Sequence, residues 1–180
     1  MTREIKAVVL GDDYVGKTSL ILNHSYKVPH LHPTETLVMK LEEQEYSLLL
    51  CDTEDRDYPR LRQLLYAETD VFLICFSLAG DYDPERVVTK WAPEIRHFFS
   101  DARICLVGTK LDRRGCETKD VTNFQALSYR QGLQLARKIS AWQYIECSAR
   151  THKGVHAVFR EAIKVAIAPD LEQRSTCQCM

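Results

Sequence analysis

Lys17 and Thr18 close the stretch Gly11-Asp12-Asp13-Tyr14-Val15-Gly16-Lys17-Thr18, and that spacing of glycines, a lysine and a hydroxyl is suited to holding a phosphate. A loop reading G-x-x-x-x-G-K-[ST] turns consecutive backbone N–H groups toward phosphate oxygens, sends its lysine to the β and γ oxygens and leaves its hydroxyl for a magnesium ion. Three further segments carry groups for the same ligand. Asp52 ends an apolar run and can serve the metal. Asp112, in Thr109-Lys110-Leu111-Asp112, can accept from both the N1–H and the 2-amino group of guanine; adenine would present a lone pair there and leave the charge unpaired. Lys110 can lay its methylene stem along the purine face. The Ala149 N–H, supported by Ser148, can donate to the base O6.

These groups need a scaffold that brings four distant segments together. The run Ile5 to Leu10 reads as a strand, and Ser19-Leu20-Ile21 after the loop continues a helix whose positive dipole end opens at Lys17. Leu37 to Leu41 and Tyr46 to Cys51 form a hairpin around a polar turn. A short helix follows Asp57-Tyr58-Pro59, with Leu61, Leu64 and Leu65 on one face. Val71 to Leu78 and Ile104 to Val107 are continuous apolar runs, the pattern of strands covered on both sides. Between them Asp83-Pro84 starts a helix with Val87, Val88, Trp91, Ile95, Phe98 and Phe99 on its apolar face, and Pro93 should bend it. Ser128-x-x-Gln131 is a capping box for a helix carrying Leu133, Leu135, Ala136 and Ile139. Tyr144 to Cys147 is the last strand. Val155, Val158, Phe159, Ala162, Ile163, Ala166 and Ile167 give the last helix, which Pro169 stops. Alternating strands and helices predict a mainly parallel sheet with helices on both faces and one antiparallel hairpin edge. Right-handed crossovers collect Gly11 to Thr18, Asp52, Thr109 to Asp112 and Ser148-Ala149 on one rim.

Composition narrows the function classes. A chain of 180 residues is one domain of ordinary size. With 24 Lys+Arg against 25 Asp+Glu there is no net field for nucleic acid or an anionic bilayer, and no nucleic-acid partner is expected. No apolar run approaches the ~18 residues of a membrane-spanning helix, and a cytosolic protein is expected. The seven cysteines include Cys51, Cys75 and Cys105 inside apolar runs, which reads as buried thiols in a reducing compartment. His24, His30 and His32 cluster in a proline-containing loop with no Cys or carboxylate partner at ligand spacing, so no metal centre is expected there.

The phosphate loop, Asp52-Thr53, Thr109-Lys110-Leu111-Asp112 and Cys147-Ser148-Ala149 together resemble a Ras-superfamily small GTPase. The segment Thr69 to Leu78, the Lys90-Trp91 pair and Tyr144 to Ala149 are similar to the Rho branch, nearest to Rac-like members. The resemblance covers about residues 3 to 168. It implies a three-layer α/β/α P-loop NTPase G domain over 3–168 and a flexible tail over 169–180. It also implies GTP or GDP with Mg²⁺ as cofactors, and a monomeric signalling switch. Gly11, Asp12, Asp13, Tyr14, Val15, Gly16, Lys17, Thr18, Ser19, Thr34, Thr109, Lys110, Asp112, Ser148 and Ala149 would meet the nucleotide. Thr18, Thr34 and Asp52 would hold the metal. Rho-type effectors and regulators, with their cytoskeletal roles, would dock on residues 28–36 and 52–66.

Departures from the family pattern carry as much information. Rho proteins usually read GDGAVGKT, so Asp13 stands where a glycine lets the loop lie against the γ-phosphate and an arginine finger enter, and Tyr14 is bulky beside it. The family's DTAGQE is replaced by Asp52-Thr53-Glu54-Asp55-Arg56 and is one residue shorter. The glycine that senses the γ-phosphate and the glutamine that orients water have no counterparts; Glu54 and Asp55 are the only substitutes at hand. Val28 stands where an aromatic normally packs on the guanine, and the polar stretch Arg113 to Asn123 shortens the Rho insert. Slow or absent hydrolysis is expected, with a pseudo-GTPase scaffold, GDP-locked or nucleotide-free, as the alternative. In Cys177-Gln178-Cys179-Met180 the cysteine fourth from the end has prenylation spacing, with Met favouring farnesyl, although the middle residues are not aliphatic and no polybasic run precedes them. Lipidation of Cys177 would place the protein on the cytosolic face of a membrane.

Overall fold

The computed structural model describes residues 2–22, 34–53, 59–114 and 125–169. The expectations for His24, Val28, His30, His32, Glu54, Asp55, Arg56 and the tail with Cys177 lie outside them.

Among the described residues six strands form one sheet in the order β2-β3-β1-β4-β5-β6: β1 (Arg3–Leu10), β2 (Thr34–Leu41), β3 (Gln44–Asp52), β4 (Val71–Ser77), β5 (Ile104–Thr109) and β6 (Gln143–Glu146). The β2–β3 hairpin is antiparallel and every other pairing is parallel. Period-two alternation splits the strand residues between two faces. On one face Ile5, Ala7, Val9, Leu73, Cys75, Cys105 and Val107 pack beneath α1 (Lys17–Leu22) and α5 (Val155–Ile167). On the other, Val8, Leu10, Phe72, Ile74, Ile104 and Leu106 pack beneath α3 (Ala92–Phe98) and α4 (Tyr129–Lys138). The three layers of the expected α/β/α fold follow from that double covering. Cys51, Cys75, Cys105 and Cys147 are all buried, and burial pushes the Cys105 and Cys147 thiols up to about 12. Among the described residues no helix is long and apolar enough to cross a membrane.

Local signals set the helix ends. Ser128 and Gln131 form the complete reciprocal box at the start of α4. Arg103 ties β5 to the end of α5 by donating to the Ala166 and Ala168 carbonyls.

Two expectations are corrected. The segment before Pro93 is a π-helical turn over Val87–Trp91, after which α3 starts with Pro93 in its first turn. Proline has no N–H to give, and the five-residue register absorbs that loss where a simple bend was expected. The leucine face expected for α2 (Pro59–Leu64) and the residue after it is buried only in part, with Leu65 packed against the core. Leu64 is 72% exposed, whereas Arg62 is 2% exposed. Arg62 donates to Glu94 at 3.0 and 2.8 Å, its guanidinium lies 5.0 Å from the Trp91 ring, and the Tyr66 hydroxyl donates to the same carboxylate. Burial opposes the charge on Glu94, but the hydrogen bonds from Arg62 and Tyr66 outweigh it and hold the carboxyl below its usual range.

Removing one partner of such a pair strands the other, so Arg62→Ala should lower stability by about 3 kcal/mol in urea unfolding. Because the folded pKa of Glu94 is depressed, its contribution is present above the unfolded carboxylate pKa and fades as pH falls through the folded value. Wild type should therefore lose, below about pH 4, a stability increment that Arg62→Ala lacks. A variant within about 1 kcal/mol of wild type at neutral pH would show the pair to be dispensable.

Candidate functional site

The carboxyl ends of the parallel strands are brought level by their register, with Val9 opposite Asp52, Leu10 opposite Ile74, Ser77 opposite Thr109 and Gly108 opposite Glu146. The phosphate loop therefore emerges beside Asp52 and Thr109. Its first turn demands glycine: Gly11 has φ +145°, and a Cβ there would lie 2.3 Å from the Cys75 carbonyl oxygen. Gly16, at φ +104°, has room around it but a backbone conformation that L residues rarely adopt.

Lys17 is buried, and its ammonium donates to the Gly11 and Asp12 carbonyls at 2.8 and 2.9 Å. The cation is thus held across the mouth of the loop, where an anion can attract it without a change of backbone. The Thr18 hydroxyl donates to Asp52 Oδ2 at 2.5 Å. A hydroxyl and a carboxylate side by side are hard oxygen donors of the kind that Mg²⁺ accepts together with phosphate oxygens and water, so Thr18 and Asp52 fit the expected metal. Thr34, the third expected ligand, begins β2, and its side chain lies outside what the structure describes. Among the described residues no group of three or more His, Cys, Asp or Glu could hold a metal by itself.

A cleft of about 410 Å³ runs along this loop, lined by Asp13, Tyr14, Gly16, Lys17, Thr18, Ser19 and Thr53. Thr53 is buried and donates to the Val9 carbonyl at 2.8 Å, which pins the end of β3. A second cleft of about 240 Å³ adjoins it and shares Tyr14, Gly16 and Ser19, with Thr109, Lys110, Asp112 and Ala149 on its other walls. Here Asp112 Oδ1 accepts from the Ser148 hydroxyl at 2.5 Å, and Ser148 in turn accepts from the Thr151 N–H. Ser148 was expected to support Ala149; its hydroxyl fixes the orientation of Asp112. Thr109 bridges elements, its hydroxyl lying 2.5 Å from the Val15 carbonyl and 2.9 Å from that of Phe76.

The Asp12 side chain serves the scaffold. Its carboxylate points away from both clefts and accepts from Trp91 Nε1 at 3.0 Å and Arg86 Nε at 2.8 Å, so only its backbone remains for a phosphate. Trp91 and Arg86 anchor the loop from the π-helical segment, a role the apolar period had not revealed. Lys110 shows the same kind of support. Its backbone is left-handed at φ 56°, and its ammonium donates to Asp81 at 2.7 Å and lies 5.5 Å from the Tyr82 ring. Burial opposes the Asp81 charge, but the bonds from Lys110 and Ser77 prevail and lower its pKa. The sequence offers Asp81 and Arg86 no motif; Asp81 is recognisable only once β4 and β5 are adjacent, and Arg86 only once its segment meets the loop after β1.

Two joined clefts, one set with a lysine, a hydroxyl and backbone N–H groups and the other with a fixed carboxylate, suit an anion at one end and a hydrogen-bonding base at the other. The sequence profile of the Ras family matches residues 6–168. The chain is also 36% identical to the Rho-related protein racC of Entamoeba histolytica, in an alignment covering 96% of this chain and 95% of that protein.

Proposed function

The chain belongs to the Ras family as a Rho-branch small GTPase, and from that premise we propose that it is a guanine-nucleotide-dependent signalling switch whose GTP hydrolysis is slow or absent. The observation that carries the reading is the mixed character of the phosphate cleft. Lys17 and Thr18 with its partner Asp52 keep the groups that bind phosphate and Mg²⁺, while Asp13 adds a carboxylate to the same wall. Binding groups are retained, whereas the glycine that would sense the γ-phosphate and the glutamine that would orient water have no counterparts in Glu54-Asp55-Arg56 directly after Thr53.

A bound Mg²⁺ supplies charge neutralisation on the phosphate oxygens. The protein's own contributions are the Lys17 ammonium, the loop N–H groups and the Asp112 carboxylate held by Ser148. Effector and regulator docking belongs to residues 28–36 and 52–66, and the protein works as a monomer. The second reading, a scaffold that holds GDP, is favoured by Asp13, because a negative side chain in the cleft opposes a third phosphate more than a second. Chromatography of the nucleotide released on denaturing the purified protein separates them. GTP or a GTP/GDP mixture supports the switch, GDP alone or no nucleotide supports the scaffold, and a purely adenine content removes guanine binding from both.

Cys177 is the proposed lipidation site, with the protein on the cytosolic face of a membrane. Cys177→Ser should move tagged protein from the membrane to the soluble fraction of cells. A wild type that is wholly soluble and has no added mass at its C-terminus would remove this part of the proposal.

A further inference from the structure

Tyr14 is 71% exposed and sits in the left-handed region at φ 61°. Glycine would meet that backbone demand without strain, and a small side chain would present no ring to water. The ring lies at the junction of the two clefts, lining the first with Lys17 and Thr18 and the second with Lys110 and Asp112. Gly16 and Ser19 share both clefts, but neither carries a side chain that can cover a ligand. Any nucleotide that places phosphates in one cleft and a base in the other must run its sugar past this phenol.

We propose that the Tyr14 ring folds over the sugar and first phosphate of the bound guanine nucleotide and retains it. The ring face meets the sugar C–H groups, the hydroxyl can donate to a phosphate oxygen, and the covered Lys17 ammonium is shielded from water. The inference rests on the nucleotide binding proposed above.

The test is the release of a fluorescent GDP analogue, in Mg²⁺, chased with excess unlabelled GDP. Tyr14→Ala should release it about tenfold faster than wild type, a factor appropriate to one lost aromatic contact. Tyr14→Phe, which keeps the ring, should recover most of the retention. Tyr14→Gly isolates the ring from the backbone, because it relieves the left-handed strain while deleting the side chain. Its nucleotide-free form should melt no lower than wild type, yet release should again be fast. Release from Tyr14→Gly at the wild-type rate or slower would overturn the role of the ring alone. A wild type that does not retain the analogue at all would overturn the nucleotide reading, and this proposal with it.

Discussion

Replacing Asp112 by asparagine is expected to exchange guanine for xanthine as the preferred base, with a swing of roughly a hundredfold or more. The carboxylate can offer acceptors to N1–H and the 2-amino group, and one of its oxygens already takes the Ser148 hydroxyl at 2.5 Å. An amide can keep its carbonyl on Ser148 and turn its NH₂ to the base, where guanine would present donors to a donor and xanthine presents a carbonyl. The surrounding geometry should survive, since the two side chains have the same shape and Ser148 keeps its acceptor. Competition of GTP, XTP and ATP against a fluorescent GDP analogue, on wild type and variant, measures the exchange. Equal affinity of the wild type for ATP and GTP would remove Asp112 as the base reader, and an unchanged preference in the variant would move selectivity elsewhere in the cleft.

How much of this was legible in the sequence depended on how local the cause was. The strands and their order of appearance followed from short apolar runs, α4 from a capping box spanning four residues, and α5 from its own period. The phosphate loop announced itself because its glycine and lysine spacing is contiguous. By contrast, the burial of Arg62 depends on Glu94 and Trp91, which lie on another element. No helical period predicts it, because the pattern of α2 taken alone favours its leucines. Asp12 was read with the loop because it lies in the loop; its side chain instead answers to Trp91 and Arg86, 79 and 74 residues away. Asp81 is a loop acid until Lys110 arrives beside it. The polar supports of the site were hidden for a common reason: each pairs a loop residue with one far away in sequence, across the sheet rim.

Those supports bear on the rate of hydrolysis. GTP-loaded protein is expected to hydrolyse its nucleotide slowly or not at all, and a Rho-type activating protein should not rescue it. Phosphoryl transfer in this superfamily depends on positioning and charge stabilisation, and an arginine finger alone supplies about 10³ to 10⁵ in rate. Asp13 lines the wall of the cleft beside Lys17 and Thr18, and its side chain would obstruct such a finger. Its neighbours are fixed: the loop is anchored by Asp12 on Trp91 and Arg86, and Thr53 is pinned to Val9. Those contacts oppose a shift of the loop backbone that would carry Asp13 out of the way. After Thr53 the sequence offers Glu54 and Asp55 where a glutamine would orient water. A carboxylate could hold a water only against the repulsion of the γ-phosphate, unless its pKa rose. Losing both the finger and the glutamine should thus exceed the effect of any single hydrogen bond. Single-turnover measurement decides it, with and without an activating protein. A rate equal to that of ordinary Rho proteins, or strong stimulation, would show that Glu54 or Asp55 does orient the water and that Asp13 does not bar the finger.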